Sequence, residues 1–340
     1  MSHLHETLKS ALQPVAGKYV GLAAAATGDG ETAFFAAGRT RADGGEDVDE
    51  HTLFEIGSIT KVFTSLLLAD QVVAGVVGLD EPLQSFYPEL RIPVRGRPVT
   101  LVDLATHTSG FPRLPKGVVR QALRHGDDPY ARFSADDVAA ALEGVRLKRE
   151  PGLKLRYSNF GAAVLGNALA RRAGTTYADL LAARVTGPLG LTDTVVDVRP
   201  DQDGRRAHGH KARRRPTPDW SMPTLPGMGA LHSTAADLAV FMAAQLHPES
   251  TPLGTAIRMT QEARAGHARQ RIGLGWLVVP LGRSGHTAHW HNGGTGGARS
   301  VAGYVLNRGV GVVLLTNCPR PTDRPGFDLL KTLADGARPA

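Results

Sequence analysis

The chain has 340 residues, with 39 Lys+Arg against 32 Asp+Glu for a formal net charge of +7, one cysteine and 42% hydrophobic residues. Such a length buries enough surface for a core without staples, and a lone cysteine excludes both an intrachain disulfide framework and a multi-cysteine zinc cluster. The charge is an arginine excess, 31 Arg to 8 Lys, scattered through a chain with only 6% aromatics, which argues against a nucleic-acid surface.

In chain order, the first apolar run, Tyr19 to Ala26, is too short to span a bilayer. Glu6 and Pro14 stand where a signal peptide would carry its basic segment. The run reads instead as a strand entering the turn Gly28-Asp29-Gly30 and a second strand, Glu31 to Ala37. These features predict a chain kept in the cytoplasm, with no membrane partner.

From Ser58 to Val77 the pattern is apolar nearly all round and predicts a buried helix. Lys61 is its only charge before Asp70 and follows Ser58 by three residues, so ammonium and hydroxyl share one helical face about a turn apart. Burial disfavours the charged lysine and lowers its pKa, while the helix start favours negative charge developing on the serine. Gly57 lets the chain approach closely there. These are the parts of an activated nucleophile. In the bland alternative, Ser58 is only a helix cap and Lys61 stretches to water.

Helical patterns recur at Thr100 to Thr106, Ala135 to Glu143, Phe160 to Arg172, Tyr177 to Val185 and Ala235 to Leu246. Ahead of the third, Tyr157-Ser158-Asn159 offers a phenol able to relay protons and an amide able to orient the lysine and a substrate carbonyl. Between the last two, residues 205–215 hold six of the cations and read as an exposed loop, either plainly solvated or docking an anionic substrate, carrier or nucleotide.

Short apolar runs then predict strands at Ile272 to Pro280, His286 to His291, Ser300 to Leu306 and Val310 to Leu315, closed by a helix over Asp328 to Ala334. Strands at both ends with helices between imply an α/β (α+β) chain, in which one mainly antiparallel sheet is built from residues 1–80 and 250–340. Residues 81–249 would form a mainly helical insertion, with the active site between the two. At His291-Asn292-Gly293-Gly294, a strand edge ending in glycines can lay a substrate carbonyl against backbone N–H, with His291 as a polar or cationic neighbour. Cys318 reads as a small buried hydrophobe.

Seven blocks in order now carry a resemblance: Phe54 to Lys61, Leu104 to Gly110, Tyr157-Ser158-Asn159, Pro188 to Leu191, Ser233 to Leu238, Gly273 to Trp276 and His291-Asn292-Gly293. The chain resembles the serine β-lactamase and penicillin-binding protein superfamily, in its class C β-lactamase-like branch of carboxypeptidases, esterases and acyltransferases. The resemblance implies a β-lactamase-like fold, an acylated Ser58, base and acid roles shared by Lys61 and Tyr157, and Asn159 as the second-motif amide. It also implies an oxyanion hole from the N–H groups of Ser58 and Gly294, and no cofactor. True β-lactamases typically carry Lys-Thr/Ser-Gly where this chain has His291-Asn292-Gly293. That loses a fixed cation and a hydroxyl suited to a β-lactam carboxylate and weighs against efficient penicillin hydrolysis.

The rival chemistry is a metal site on His286, His289 and His291. Strand alternation puts His286 on the face opposite the other two, so no metal is expected. A ligand sensor with a stable acyl-serine is a second rival. The function expected is hydrolysis of a small, possibly anionic, ester or amide. The alternatives are transfer of the acyl group to an amine or alcohol, and β-lactamase or D-alanyl-D-alanine carboxypeptidase activity.

Overall fold

The computed structural model describes residues 3–282 and 285–336. Its elements begin with helix α1 (His3–Ala16), the hairpin β1 (Gly21–Gly28) and β2 (Glu31–Gly38), the two-residue β3 (Phe54–Glu55) and the long helix α2 (Thr60–Val73). Then come α3 (Leu101–Ala105), α4 (Val118–His125), α5 (Ala135–Glu143), α6 (Asn159–Ala173) and α7 (Tyr177–Leu181). The chain returns through β4 (His232–Ser233), α8 (Ala235–Leu246) and α9 (Gly254–Gln261) to β5 (Ala265–His267), β6 (Gln270–Ile272) and β7 (Leu277–Leu281). It closes with β8 (His286–Gly294), β9 (Arg299–Val305), β10 (Val310–Thr316) and α10 (Asp323–Gly336).

Eight strands form one sheet in the order β2-β1-β10-β9-β8-β7-β6-β5, every neighbouring pair antiparallel. The expected sheet built from both chain ends is therefore present, with the first hairpin lying beside the last strand. That hairpin turns at Asp29 and Gly30, both at positive φ (50° and 75°), the conformation that lets a two-residue loop follow the strand twist.

Both faces of the sheet are covered, and the β1 sequence shows why it reads as a continuous apolar run. Ala23 and Ala25 point into the main core, while Leu22, Ala24 and Ala26 point into a second core beneath α1 and α10. β10 divides in the same way, with Val313 and Leu315 on one side and Val312 and Leu314 on the other. Helix α8 packs on the main-core face against β1, β9 and β10, although it lies within residues 81–249. The main core runs on without a break through α2 into α3, α5 and α6.

The helix expected from Ser58 begins as a tight turn, Gly57–Ile59, and becomes α-helical at Thr60. Twelve consecutive residues, Thr60 to Gln71, are buried, as the apolar pattern demands. Helices α1, α4 and α9 had no counterpart in the sequence reading. α1 shows only Leu8 and Leu12 fully buried across 14 residues and carries Pro14, so its apolar stripe is thin. In α4, Leu123 points outward, 84% exposed, and blurs the period. Cys318 is buried and unbridged. Among the described residues no helix is long and apolar enough to cross a membrane.

Candidate active site

The site is assembled around the start of α2. Ser58 is half-buried in the turn Gly57–Ile59 and caps nothing; the residue before α2 makes no side-chain cap bond. Lys61 does not reach for water either, being 2% exposed. Its Nζ lies 2.8 Å from Ser58 Oγ and also donates to the Met228 carbonyl. Burial holds the Lys61 pKa well below its ordinary value, and the nearby Arg113 charge pushes it further down. A neutral amine has two N–H donors and one lone pair, so with one N–H on Met228 it can receive a proton from the serine.

The Met228 carbonyl sits on a segment that grips the nucleophile turn through main-chain atoms. Ile56 N donates to Leu231 O (3.0 Å), Leu231 N donates to Thr60 Oγ1 (3.1 Å), and Thr64 Oγ1 donates to Gly227 O (2.8 Å). The sequence assigned the orientation of Lys61 to Asn159. The hydrogen-bond partners of the lysine are instead Ser58 and Met228, and the buried Oδ1 of Asn159 has no protein partner.

Tyr157 reaches the site from the strand-like approach to α6. Ser158 caps that helix, accepting from Gly161 N (2.8 Å) and donating to Pro112 O (2.7 Å). Asn159 N is tied to Arg113 O (2.9 Å), which sets the two segments side by side. The Tyr157 ring centroid lies 5.2 Å from Lys61 Nζ. Burial raises the phenol to about 12, against the pull of a hydrogen bond with Ser58 and of Arg113. It is therefore protonated at neutral pH and placed to give a proton.

Two neutral histidines flank that ring. His291 Nδ1 faces the Asn292 carbonyl at 2.6 Å; a carbonyl only accepts, so Nδ1 carries the proton and Nε2 is a bare acceptor. Burial and Lys61 lower the His291 pKa to about 3, which favours the polar over the cationic of the two roles considered from sequence. His107 Nδ1 accepts from Ser158 N (3.3 Å), which leaves its buried Nε2–H a donor with no protein partner. Its ring is 4.4 Å from that of Tyr157, and burial, then Lys61 and His291, hold its pKa well below normal. Sequence reasoning passed over His107, which lies inside the block Leu104 to Gly110; its positive φ of 56° is a tertiary feature without a sequence signal.

Glycines close the other wall. Gly57 has φ +50°, and a Cβ there would stand 2.5 Å from Gly294 N. That contact puts the Ser58 turn against the solvent-exposed end of β8. A Cβ at Gly293 would collide with the Ile56 carbonyl and Ser300 Oγ, which are bonded to each other at 2.8 Å. Asn292 alternates to the opposite face, and its amide donates to Asp323 at 2.9 Å. Only its backbone belongs to the site, a correction to its expected place among the substrate contacts.

Ser58, Lys61, Tyr157, Asn159, His291, Gly293 and Gly294 are thus brought together, and Arg113 joins them unforeseen. Its exposed guanidinium stands 5.7 Å from the Tyr157 ring centroid, and no carboxylate pairs with it among the described residues. The histidines of the rival metal reading are dispersed: His289 stacks on Tyr304 at 5.0 Å, and His286 lies 3.8 Å from Asp335. Among the described residues no group of three or more His, Cys, Asp or Glu could hold a metal ion.

Comparison with known proteins sets this geometry in context. Residues 7–334 match the family model described as Beta-lactamase. A D-alanyl-D-alanine-carboxypeptidase/endopeptidase, AmpH, of Escherichia coli (strain K12) is 27% identical over 88% of this chain and 80% of its own length. Penicillin-binding protein 4 of Amycolatopsis lactamdurans is 29% identical over 87% of this chain and 80% of its own. A solved class C beta-lactamase superposes with a TM-score of 0.86 at 20% identity, covering 99% of this chain and 97% of that one, which bears on the fold.

Proposed function

The chain belongs to the Beta-lactamase family, whose serine hydrolases act through a covalent acyl-serine intermediate, and from that premise we propose that Ser58 is acylated by a small ester or amide, which water then releases. The observation that carries this reading is a buried Lys61 within 2.8 Å of Ser58 Oγ, its pKa held well below the ordinary value by burial.

The divergent pKa values divide the labour. Lys61, neutral, takes the Ser58 proton as Oγ bonds to the substrate carbonyl carbon. The oxyanion lies between the N–H groups of Ser58 and Gly294. The bond to the leaving group breaks, Tyr157 supplies that group's proton, and the Lys61 ammonium restores the phenol. Water enters by the same relay in reverse.

A second reading, transfer to an amine or alcohol, is favoured by the unpartnered acceptor at His291 Nε2, which can receive a hydrogen from such a nucleophile. The β-lactamase and carboxypeptidase activities named for the relatives fit less well. His291 is neutral and the Asn292 amide is turned to Asp323, so neither offers a substrate carboxylate a cation or a hydroxyl. The reading also places the enzyme on metabolic esters in the cytoplasm, which cell fractionation checks.

Ser58→Ala is expected to lower kcat on a chromogenic short-chain ester by on the order of 10⁴-fold or more. Intact mass of the wild type should show an acyl adduct that Ser58→Ala lacks. Absence of that adduct with every ester that turns over would overturn the mechanism. Product analysis with and without an amine then separates hydrolysis from transfer.

A further inference from the structure

The basic tract singled out in the sequence, residues 205–215, is largely spent on the fold. Arg205 pairs with Asp193 (2.8 Å), Arg206 with Asp203 (2.8 Å) and Asp219 (2.9 Å), and Lys211 with Asp127. Its backbone is anchored as well, with Leu53 N donating to Arg205 O (2.9 Å) and His208 N to Thr40 O (2.9 Å).

A different set of cations is left over. A cavity of about 590 Å³ is lined by Thr108, Gly110, Lys148, Arg149, Glu150, Lys154 and Arg156. All four cations are exposed, and none has a carboxylate or a side-chain hydrogen bond among the described residues. Two carboxylates lie near. Asp103 is occupied by bidentate bonds from Arg97 (2.7 and 2.8 Å) and by Thr100 and Thr108. Glu150 leans over Gly96 within the field of Arg97. The lining therefore carries a formal excess of three positive charges. Like charges gathered around one concavity repel unless an anion joins them, and guanidinium forks with ammonium groups suit the oxygens of a phosphate.

The position of the cavity gives it a use. Arg156 is the residue before Tyr157, its N–H donates to the His107 carbonyl (2.7 Å), and Gly152 N donates to Thr108 O (2.9 Å). Both histidine and tyrosine flank Lys61, so an anion held here lies one residue along the chain from the catalytic centre.

We propose that the cavity between residues 108–110 and 148–156 is a binding site for a phosphate-bearing anion. The phosphate is either a handle on the acyl donor or a free anion acting on the site.

Inorganic pyrophosphate titrated calorimetrically into the full chain at low salt tests this, and the binding measurement stands whether or not Ser58 is acylated. Saturable binding that weakens with salt is expected, with an affinity loss of roughly tenfold or more in Lys148→Gln/Lys154→Gln. The control Arg213→Gln/Arg214→Gln/Arg215→Gln should bind as the wild type does. No saturable binding by the wild type, or an equal loss in both variants, overturns the proposal. An unchanged melting temperature and unchanged turnover of a neutral ester confirm that the double variant is folded. If the phosphate is a handle, the double variant raises KM for a phosphorylated ester alone; if it is a free anion, pyrophosphate alters neutral-ester turnover in the wild type and not in the variant.

Discussion

Lys61 and Arg113 show how much of the chemistry rests on charges several ångströms apart. Arg113 presses on the Lys61 pKa from the exposed side while burial lowers it from within. Because the lysine must be neutral to act as base, activity is lost as pH falls through its folded pKa. Arg113→Gln removes a cation, raises that pKa, and should move the acidic limb of the kcat profile to higher pH. The move should be a few tenths of a unit, because solvent screens an exposed guanidinium. High salt should produce the same move in the wild type and little in the variant; a limb that stays put in Arg113→Gln would exclude this coupling. Ser58 and Lys61 were legible in the sequence because a nucleophile and its base one helical turn apart leave a local spacing, whereas Tyr157 has no such spacing and its role came only with the family resemblance. Arg113 and His107 were not, since their roles come from tertiary approach and nothing local separates Arg113 from 30 other arginines. The Met228 carbonyl is a backbone atom, which no residue identity reports.

Among the elements, the turn before α2 and the end of β8 fit together only because both are bare. Gly57→Ala places a Cβ 2.5 Å from Gly294 N and an alanine at φ +50°, so the strand end must retreat. The expected stability loss is roughly 1–3 kcal/mol, read by denaturant titration. A kcat loss of roughly 10²-fold or more should accompany it if Gly294 N–H stabilises the oxyanion. A variant that melts lower yet keeps kcat within twofold would remove Gly294 from that role. Helices α5 and α8 followed from the sequence to the residue, while α2, expected to reach Val77, ends at Val73. The thin stripes of α1 and α4 did not follow from it, because tertiary packing and not periodicity fixes them. The ion pairs of tract 205–215 were not legible for a related reason: Asp127, Asp193 and Asp219, which pair with it, lie outside its eleven residues.

Over the whole molecule, several buried ionisable groups set how stability follows pH. Lys61, His107 and His291 have lowered pKa values, so the unfolded chain binds protons that the folded chain refuses, and stability falls as pH drops below the ordinary value of each. Glu55 runs the other way. Its carboxylate accepts from Trp220 N (2.8 Å) and Thr295 Oγ1 (2.7 Å), joining two loops beside the site, while burial and then Asp219 raise its pKa from 4.5 to about 7. The stability it contributes is full below 4.5 and lost as pH rises through 7, on the order of 3 kcal/mol. Glu55→Gln can keep both contacts without titrating, so relative to the wild type it should gain stability between pH 5 and pH 8. Denaturant titrations at the two pH values check this, and an equal difference at both would exclude the buried carboxyl as its source. The sheet order carries a last consequence, for how the chain reaches this state. Gly21 on β1 bonds to Asn317 just past β10, a partner 296 residues away, so the sheet cannot close until nearly all the chain is in place. A contact map so dominated by non-local pairing implies slow folding with a strand edge open meanwhile. Refolding yield after dilution from denaturant should therefore fall steeply as protein concentration rises, while the folded protein stays clear at the same concentrations.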